Sequence, residues 1–347
     1  MGGSILRVVP PQIKILVTGA TGFLGGALTE ALLREGQPVR ILVRPGHPVP
    51  TFAGGTPEVC WGSLEDAASL VAACAGIELI YHCAALASDW GPWEQFYQVN
   101  VQGVENMLGA VRTAGSVRRF IHISTTDVYG YPVAAVDETY PITDIGLPYN
   151  RSKGLGEKKV WEFAGATGLP VTVIRPATIY GPRSLSIVAE IAAVLRKKQM
   201  ALVDGGRVAA GLLYIENAVD GILQAAWSPV TIGQAYNLRD EGTETWRQFV
   251  SVLASGMGVG QPWLNLPSVP ALGLAQLCEM VYRGLGIRHR PLLTRHAVYL
   301  FCRTQGYAIK KAQRDFGFRS KIGFAEGMAR TQSWLASPEG QAALAKF

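Results

Sequence analysis

Residues 13–18, IKILVT, are a short β-branched apolar run that leads directly into GATGFLGG and then into the apolar-periodic stretch ALTEALLREG, closed by Gly36. That order reads as strand, tight glycine turn, helix and C-cap. The next run, VRILVR (39–44), repeats the buried-strand pattern, so the chain begins with a βαβ unit. LIYHCAA (79–85), RFIHIST (119–125) and VTVIRPA (171–177) are further strand candidates, each preceded by a helical pattern. Strands alternating with helices imply a parallel sheet covered on both faces. The alternation weakens after residue 180: 185–199 and 243–258 read as helical, and LLYIENAVDGILQAAW (212–227) as a short strand plus a helix. The expectation is an α/β protein. A doubly wound parallel-sheet Rossmann domain spans 12–180 with about 207–240, and a smaller, mostly helical C-terminal lobe is built from 181–206 and 241–347.

Glycines at 19, 22 and 25 sit where a phosphate site needs them, between strand and helix. They permit the tight turn and let the backbone approach a pyrophosphate, whose charge is favoured by the N–H groups and dipole of the helix N-terminus. The bland alternative is a glycine turn that binds nothing. The second strand reports on the ribose, because an acid at its end would accept from a free 2′-hydroxyl and repel a 2′-phosphate. Here it ends Leu42-Val43-Arg44, with a guanidinium in place of an acid. NADP(H) is therefore preferred, NAD(H) stays open, and Arg44 as an ordinary strand-end residue is the competing reading.

With 48% hydrophobic and 17% charged residues over 347 positions, the chain can bury a sizeable core, and disorder is excluded as a general state. The five cysteines, Cys60, Cys74, Cys83, Cys278 and Cys302, are odd in number and widely spaced, which argues against a disulfide framework or a metal site and for a reducing, cytoplasmic compartment. The N-terminus, MGGSILRVVPPQIK, has an apolar run too short for a leader and broken by two prolines. A net charge of +6 would suit an anionic ligand or membrane surface. The basic residues are scattered, so nucleic acid is not an expected partner.

PYNRSKGLGEKKV (148–160) opens another helix with a phenol and an amine four positions apart, Tyr149 and Lys153. On a helix such a pair shares one face, with Cβ atoms roughly 5–6 Å apart, so it can serve one small volume as an acid/base device. Alone it is also a common coincidence. It follows HISTTDVYG (122–130), a strand end rich in hydroxyls. Together with TGATGFLGG, HCAAL (82–86), YQVNVQGVENML (97–108), IRPATIYGPR (174–183) and YIENAVDG (214–221), these segments, in this order, resemble the extended short-chain dehydrogenase/reductase family along nearly the whole chain.

The resemblance implies that Tyr149 is the general acid/base, that Lys153 stabilises its phenolate and holds the nicotinamide ribose, and that Thr125 hydrogen-bonds the reacting oxygen. A free phenol, with a pKa near 10, needs such adjacent positive charge to act as a base. Ser124 and Thr126 are the neighbours that a shift of one residue would promote to the role of Thr125. The cofactor is expected against Gly19, Thr21, Gly22, Phe23, Leu24 and Gly25 in the turn, and against Arg44, Ser63 and Leu64 near the second and third strands. It continues along Ala84, Ala85 and Leu86 and past Pro176 and Thr178. Ser63 stands where the family often has an Asp for adenine, Val104 where Thr is usual, and Val43 where NAD-using sterol members carry their acid.

The substrate is the branch question. The nucleotide-sugar branch commonly reads Arg-Asp-Phe where this chain has Ala210-Gly211-Leu212, and lacks that countercharge here unless Arg207 or Arg183 supplies it. The C-terminal third resembles 3β-hydroxysteroid dehydrogenases, including those that decarboxylate sterol 4-carboxylates. The matching pieces are 235–258, the Pro-punctuated apolar run 264–286, PLLTRHAVYLF (291–301) and the closing YAIKKAQRDFGF. A hydrophobic substrate is expected, most of all a 3β-hydroxy- or 3-ketosteroid. A 2-alkyl-3-ketoacid reductase, a sugar-nucleotide epimerase or dehydratase, and a non-enzymatic NADP(H) sensor are the alternatives. Residues 269–287 are too interrupted for a membrane span, and Glu279 and Arg283 at i,i+4 suggest one wet face. A buried amphipathic helix is the preferred reading there, with peripheral membrane contact open, and dimers are common in the family.

Overall fold

The computed structural model describes residues 12–347, so the reading of the first eleven positions lies outside the described residues. The strands are β1 (Ile15–Thr18), β2 (Val39–Val43), β3 (Glu58–Trp61), β4 (Leu79–His82), β5 (Arg119–Ile123), β6 (Val171–Pro176), β7 (Thr178–Tyr180), β8 (Ala201–Val203), β9 (Leu212–Tyr214), β10 (Gln234–Leu238) and β11 (Leu264–Leu266). Seven of them form one sheet in the order β10-β6-β5-β4-β1-β2-β3, with every neighbouring pair parallel. β7 pairs with β9 and β8 with β11 in two-stranded ribbons. The order reverses between β1 and β4, and a doubly wound sheet opens a crevice at the carboxyl ends of such a pair.

Alternation along the strands supplies both faces of the sheet. In β1, Ile15 and Val17 join one apolar cluster and Leu16 joins the other. The first cluster packs α1 (Phe23–Arg34) through Leu28 and Leu32. The second packs α2 (Ala67–Cys74) through Leu70 and Ala73. After α3 (Trp93–Tyr97), α4 (Gly103–Ala114) covers that same second face, and α5 (Pro148–Thr167) follows beside it. Asp66 caps α2 by accepting from the backbone of Ala68 and Ser69. Gly168, at φ +73°, ends α5 in the left-handed conformation that glycine tolerates best.

Beyond the sheet come α6 (Glu190–Arg196), α7 (Ile215–Trp227), α8 (Trp246–Gly256), α9 (Ser268–Gly284), α10 (Arg295–Cys302), α11 (Lys310–Phe316), α12 (Phe324–Ala336) and α13 (Pro338–Leu344). α7 returns to the face of the sheet that α1 covers. The helix expected over 185–199 begins instead as a π-type turn at Leu185–Ala189 before α6. β3 was not among the expected strands, since its EVCW is half-exposed and lacks a long apolar run.

α9 corrects the expectation of a buried helix with Glu279 on its wet side. Glu279 is 4% exposed, while Leu277 and Met280 are 56% and 61% exposed. The carboxylate is drawn inward by the backbone N–H and the guanidinium of Arg295 (2.7 and 2.9 Å). Among the described residues no helix is long and apolar enough to cross a membrane.

Candidate active site

The glycine turn after β1 is fixed by contact. Gly19 has φ +72°, and a Cβ there would lie 2.7 Å from the backbone nitrogen of Ala84. A Cβ on Gly25 would lie 2.3 Å from the carbonyl oxygen of Gly19. Only glycine lets α1 start this close to the strand. Gly22 caps α1 without a side-chain hydrogen bond, which leaves the first N–H groups of the helix for a ligand. That cradle suits the pyrophosphate of a dinucleotide.

A cavity of about 620 Å³ runs from this turn across the carboxyl ends of β4, β5 and β6. Of the expected site residues it is lined by Gly19, Gly22, Phe23, Leu24, Gly25, Ala85, Thr125, Tyr149, Lys153, Pro176 and Thr178. Thr21 and Arg44 are exposed and outside the lining. Ser63, Leu64, Ala84 and Leu86 are also outside the lining. The hydroxyl of Ser63 accepts from the N–H of Glu65, Leu64 packs where a Cβ on Gly103 would collide, and Ala84 N donates to Thr18 Oγ1. Leu86 exchanges two hydrogen bonds with the buried Asn100, whose amide also donates to Ser152 Oγ. Asn100 thereby ties the strand end to α5. The approach is close enough that a Cβ on Gly156 would sit 2.2 Å from the Asn100 carbonyl.

Pro148 occupies the first turn of α5, so Tyr149 and Lys153 stand one turn apart on the face toward β5. Lys153 is 4% exposed and donates from Nζ to the carbonyl of Ile123 at 2.7 Å. Burial pushes its ammonium down to about 8, with Glu157 opposing the shift. Burial and then the Asp127 carboxylate raise the Tyr149 phenol above its usual range, with Thr125 pulling the other way. Before a ligand binds, the phenol is therefore a proton donor.

The three adjacent hydroxyls have separate partners. Ser124 Oγ donates to Glu157 at 2.7 Å, committing it to a buried network in which Arg175 also binds Glu157 and Trp161 Nε1 donates to it at 3.1 Å. Thr126 is buried and outside the cavity lining. Thr125 accepts from the N–H of Asp127 at 3.2 Å, which leaves its own proton for the cavity. Among the three, Thr125 has the geometry expected of the hydrogen-bonding residue.

The opposite wall comes from positions that the sequence did not single out. Arg290 binds Asp89 through Nε at 2.6 and 2.7 Å and also contacts Glu190. Burial would raise Asp89, but the hydrogen bond and charge of Arg290 hold it below the usual carboxylate range, whereas burial wins at Glu190 and raises it. His296 on α10 lies 3.2 Å from the Tyr131 hydroxyl and 3.7 Å from Asp127, with its ring centroid 6.2 Å from that of Tyr149. These residues converge from 89, 127, 190, 290 and 296, and no local motif links them. Between them the wall is apolar, with Ala87, Ile179, Leu185, Ile187, Leu300 and Phe301.

Residues 15–238 match the model of the NAD dependent epimerase/dehydratase family. A ketoreductase from Stigmatella aurantiaca, named for a 4-hydroxy-2-methyl-3-oxo-4-farnesyl-3,4-dihydroquinoline-1-oxide, is 30% identical over 96% of this chain and 99% of its own. A 2-alkyl-3-oxoalkanoate reductase from Stenotrophomonas maltophilia is 29% identical over 94% and 100%. A 3 beta-hydroxysteroid dehydrogenase/Δ5→4-isomerase from Mycobacterium tuberculosis is 30% identical over 88% and 85%. Among solved structures, that of gox2253 superposes with a TM-score of 0.78 at 26% identity, covering 93% of this chain and 98% of the other.

Proposed function

The chain belongs to the NAD dependent epimerase/dehydratase family, within the extended short-chain dehydrogenases/reductases, and is an NAD(P)-dependent enzyme; from that premise we propose that it interconverts a ketone and a secondary alcohol on a neutral, hydrophobic substrate, with a 3-keto- or 3β-hydroxysteroid as the first candidate. In this reading the Rossmann unit, 12–180 with about 207–240, binds the cofactor, and 181–206 with 241–347 form the substrate lobe. NADP(H) is the preferred cofactor, through Arg44. The five free cysteines agree with a cytoplasmic setting, and a homodimer is the expected assembly.

A bound nicotinamide would supply hydride chemistry. The turn at Gly19–Gly25 would hold its pyrophosphate and Lys153 its ribose. Tyr149 gives its phenolic proton to the carbonyl oxygen in reduction and takes the hydroxyl proton in oxidation. Thr125 donates a hydrogen bond to the same oxygen, and the Lys153 ammonium favours the phenolate left behind.

The charge of the far wall carries the substrate class. Arg290 is already matched by two carboxylates, Asp89 and Glu190, so a free carboxylate beside Tyr149 would meet net negative charge. This weighs against a 2-alkyl-3-oxo acid as a free anion, although relatives bear that name. A sugar nucleotide fares worse. Arg183 is bound to Glu30 and Glu339, Arg207 is exposed, and neither lines the cavity, so the diphosphate lacks the countercharge it would need.

The test is absorbance at 340 nm with NADP(H) and NAD(H). Substrates are a panel of neutral ketosteroids and 3β-hydroxysterols with and without a 4-carboxylate, prenylated cyclic ketones, 2-alkyl-3-oxo acids and UDP- and dTDP-sugars. Turnover of neutral polycyclic or prenylated substrates, lost in Tyr149→Phe, is the expected result. Conversion of a nucleotide sugar with cofactor retained through purification would overturn it.

A further inference from the structure

α9 is an amphipathic helix turned inside out. Its inward line is Ala271, Ala275 and Glu279, spaced i,i+4 and 3%, 0% and 4% exposed. The alanines let it pack closely on α10, against Val298. The outward face carries Leu274, Leu277, Met280 and Val281, and the patch is extended by Val269, Leu285 and, in the adjoining segments, Trp263 and Leu292. Trp263 is 81% exposed and Leu292 73%. Scattered exposed leucines need no explanation, but a contiguous apolar face of this kind marks an interaction surface.

The charges along this stretch of the chain are mostly positive, although the exposed Asp204 accepts from the backbone N–H of Ser268 where α9 begins. Between Thr245 and Arg314 the only acid is Glu279, and it is buried under Arg295. Arg283, in the last turn of α9, and Arg288 and His289, just beyond its end, are exposed. The Arg283 guanidinium lies over the Trp90 ring, 5.4 Å from its centroid, and 3.9 Å from the Glu279 carboxylate, with half of the side chain still exposed.

We propose that this face of α9, with Trp263, Leu285 and Leu292, docks the protein on the surface of an anionic phospholipid bilayer. A flat helix with apolar residues below and arginines at headgroup level is the arrangement that binds such surfaces. A second copy of the chain fits less well. A two-fold pairing of this face would bring Arg283 and Arg288 toward their own images, with Glu279 buried and Asp204 already held by the Ser268 N–H at the other end of the helix. The docking deepens the hydrophobic-substrate reading, on which its purpose rests. α10, packed beneath α9, turns His296, Ala297, Leu300 and Phe301 into the catalytic cavity, so a lipid-borne substrate would leave the bilayer next to its site.

The test is flotation of the full chain with phosphatidylcholine vesicles and with vesicles containing about one-third phosphatidylserine, with no substrate present. The expected result is binding to the anionic vesicles at least tenfold tighter than to phosphatidylcholine and weakened by salt. Leu277→Gln/Met280→Gln should lose binding at least tenfold at an unchanged melting temperature. Arg283→Gln/Arg288→Gln should remove the preference for phosphatidylserine. No binding to either vesicle, or full binding by the Leu277/Met280 variant, overturns the proposal. So does sedimentation showing a dimer that this variant makes monomeric while vesicles are ignored. Flotation reads docking alone: lipid binding without turnover of any hydrophobic substrate would sink the proposed reaction and leave the docking surface standing, and turnover of detergent-dispersed substrate without flotation would do the reverse.

Discussion

The two ends of the catalytic cavity are built by different means. At the cofactor end, short contacts among the carboxyl ends of β1, β4 and β5 and the helices α1 and α5 set the shape: Gly19 against Ala84, Gly25 against Gly19, Lys153 on the Ile123 carbonyl. At the substrate end, Asp89, Glu190, Arg290 and His296 arrive from four separate segments: Arg290 is held by the two carboxylates, and His296 rests against Tyr131 and Asp127. The first end is rigid because backbone meets backbone there. The second is specified by side chains, which can be exchanged without disturbing the sheet, and this is where members of one family can diverge in substrate.

If that division is right, changes at the cofactor end should abolish chemistry and changes at the substrate end should redirect it. The largest effect is expected for Tyr149→Phe, which keeps the ring and removes the proton. kcat should fall about 10²–10⁴-fold, the range typical of losing a general acid, with cofactor affinity measured by fluorescence titration little changed. A fall confined to KM would mean that Tyr149 only positions the substrate.

Behind the reacting groups, Glu157 is fully buried and neutralises Arg175. Glu157→Gln leaves that guanidinium buried without its counterion, and such changes cost about 3–5 kcal/mol. Chemical denaturation should show the loss in the Rossmann unit. Arg290→Gln, at the half-exposed far wall, should cost far less stability, and equal losses would erase the contrast between the two ends.

Lys153 sharpens the comparison through pH. Its folded value of about 8 lies below its ordinary 10.5, so between those values the unfolded chain holds a proton that the folded one has released. Its contribution to stability therefore rises with pH across that window. Activity should move the other way, since in the proposed reaction the ammonium is the form that supports Tyr149, and kcat/KM should decline above about pH 8 by up to tenfold per unit. The variant Lys153→Met should flatten that limb. A limb that persists in the variant would assign it to another group.

At the substrate end, Asp89→Asn/Glu190→Gln frees Arg290 from both carboxylates. Turnover of a 2-alkyl-3-oxo acid should improve about tenfold, which corresponds to about 1.4 kcal/mol, while neutral ketones respond little. Equal gains for both substrate types would mean that the cluster shapes the cavity and does not read charge.

How far each end was legible in the sequence follows the same line. The sheet, the glycine turn and the Tyr149–Lys153 pair depend on neighbours within a few residues or on a repeating period, and patterns of that kind are visible in one chain. Thr125 was preferred over Ser124 there by resemblance alone, because the contact that occupies Ser124, Glu157, lies far along the chain on α5. The orientation of α9 was misread for a related reason. Glu279 and Arg283 at i,i+4 suggest an outward pair, yet Glu279 turns inward to Arg295, a partner supplied by the next helix. The charged cluster at the far wall had no local signal at all.

Arg44 tests the cofactor end where it is weakest. It is exposed just past β2 and outside the cavity lining, and among the described residues no side-chain hydrogen bond holds it toward a ribose. An exposed charge is screened, and such contacts are commonly worth about 0.2–1 kcal/mol. Arg44→Gln should therefore raise KM for NADP(H) only about two- to fivefold and leave NAD(H) almost untouched. If the two cofactors respond alike, the 2′-phosphate does not sit at Arg44, and the missing acid after β2 is then neutral between them. If NADP(H) alone is lost by far more, ligand binding must draw Arg44 into a buried fork on the phosphate. The rigid end would then contain one side chain that behaves like those across the cavity.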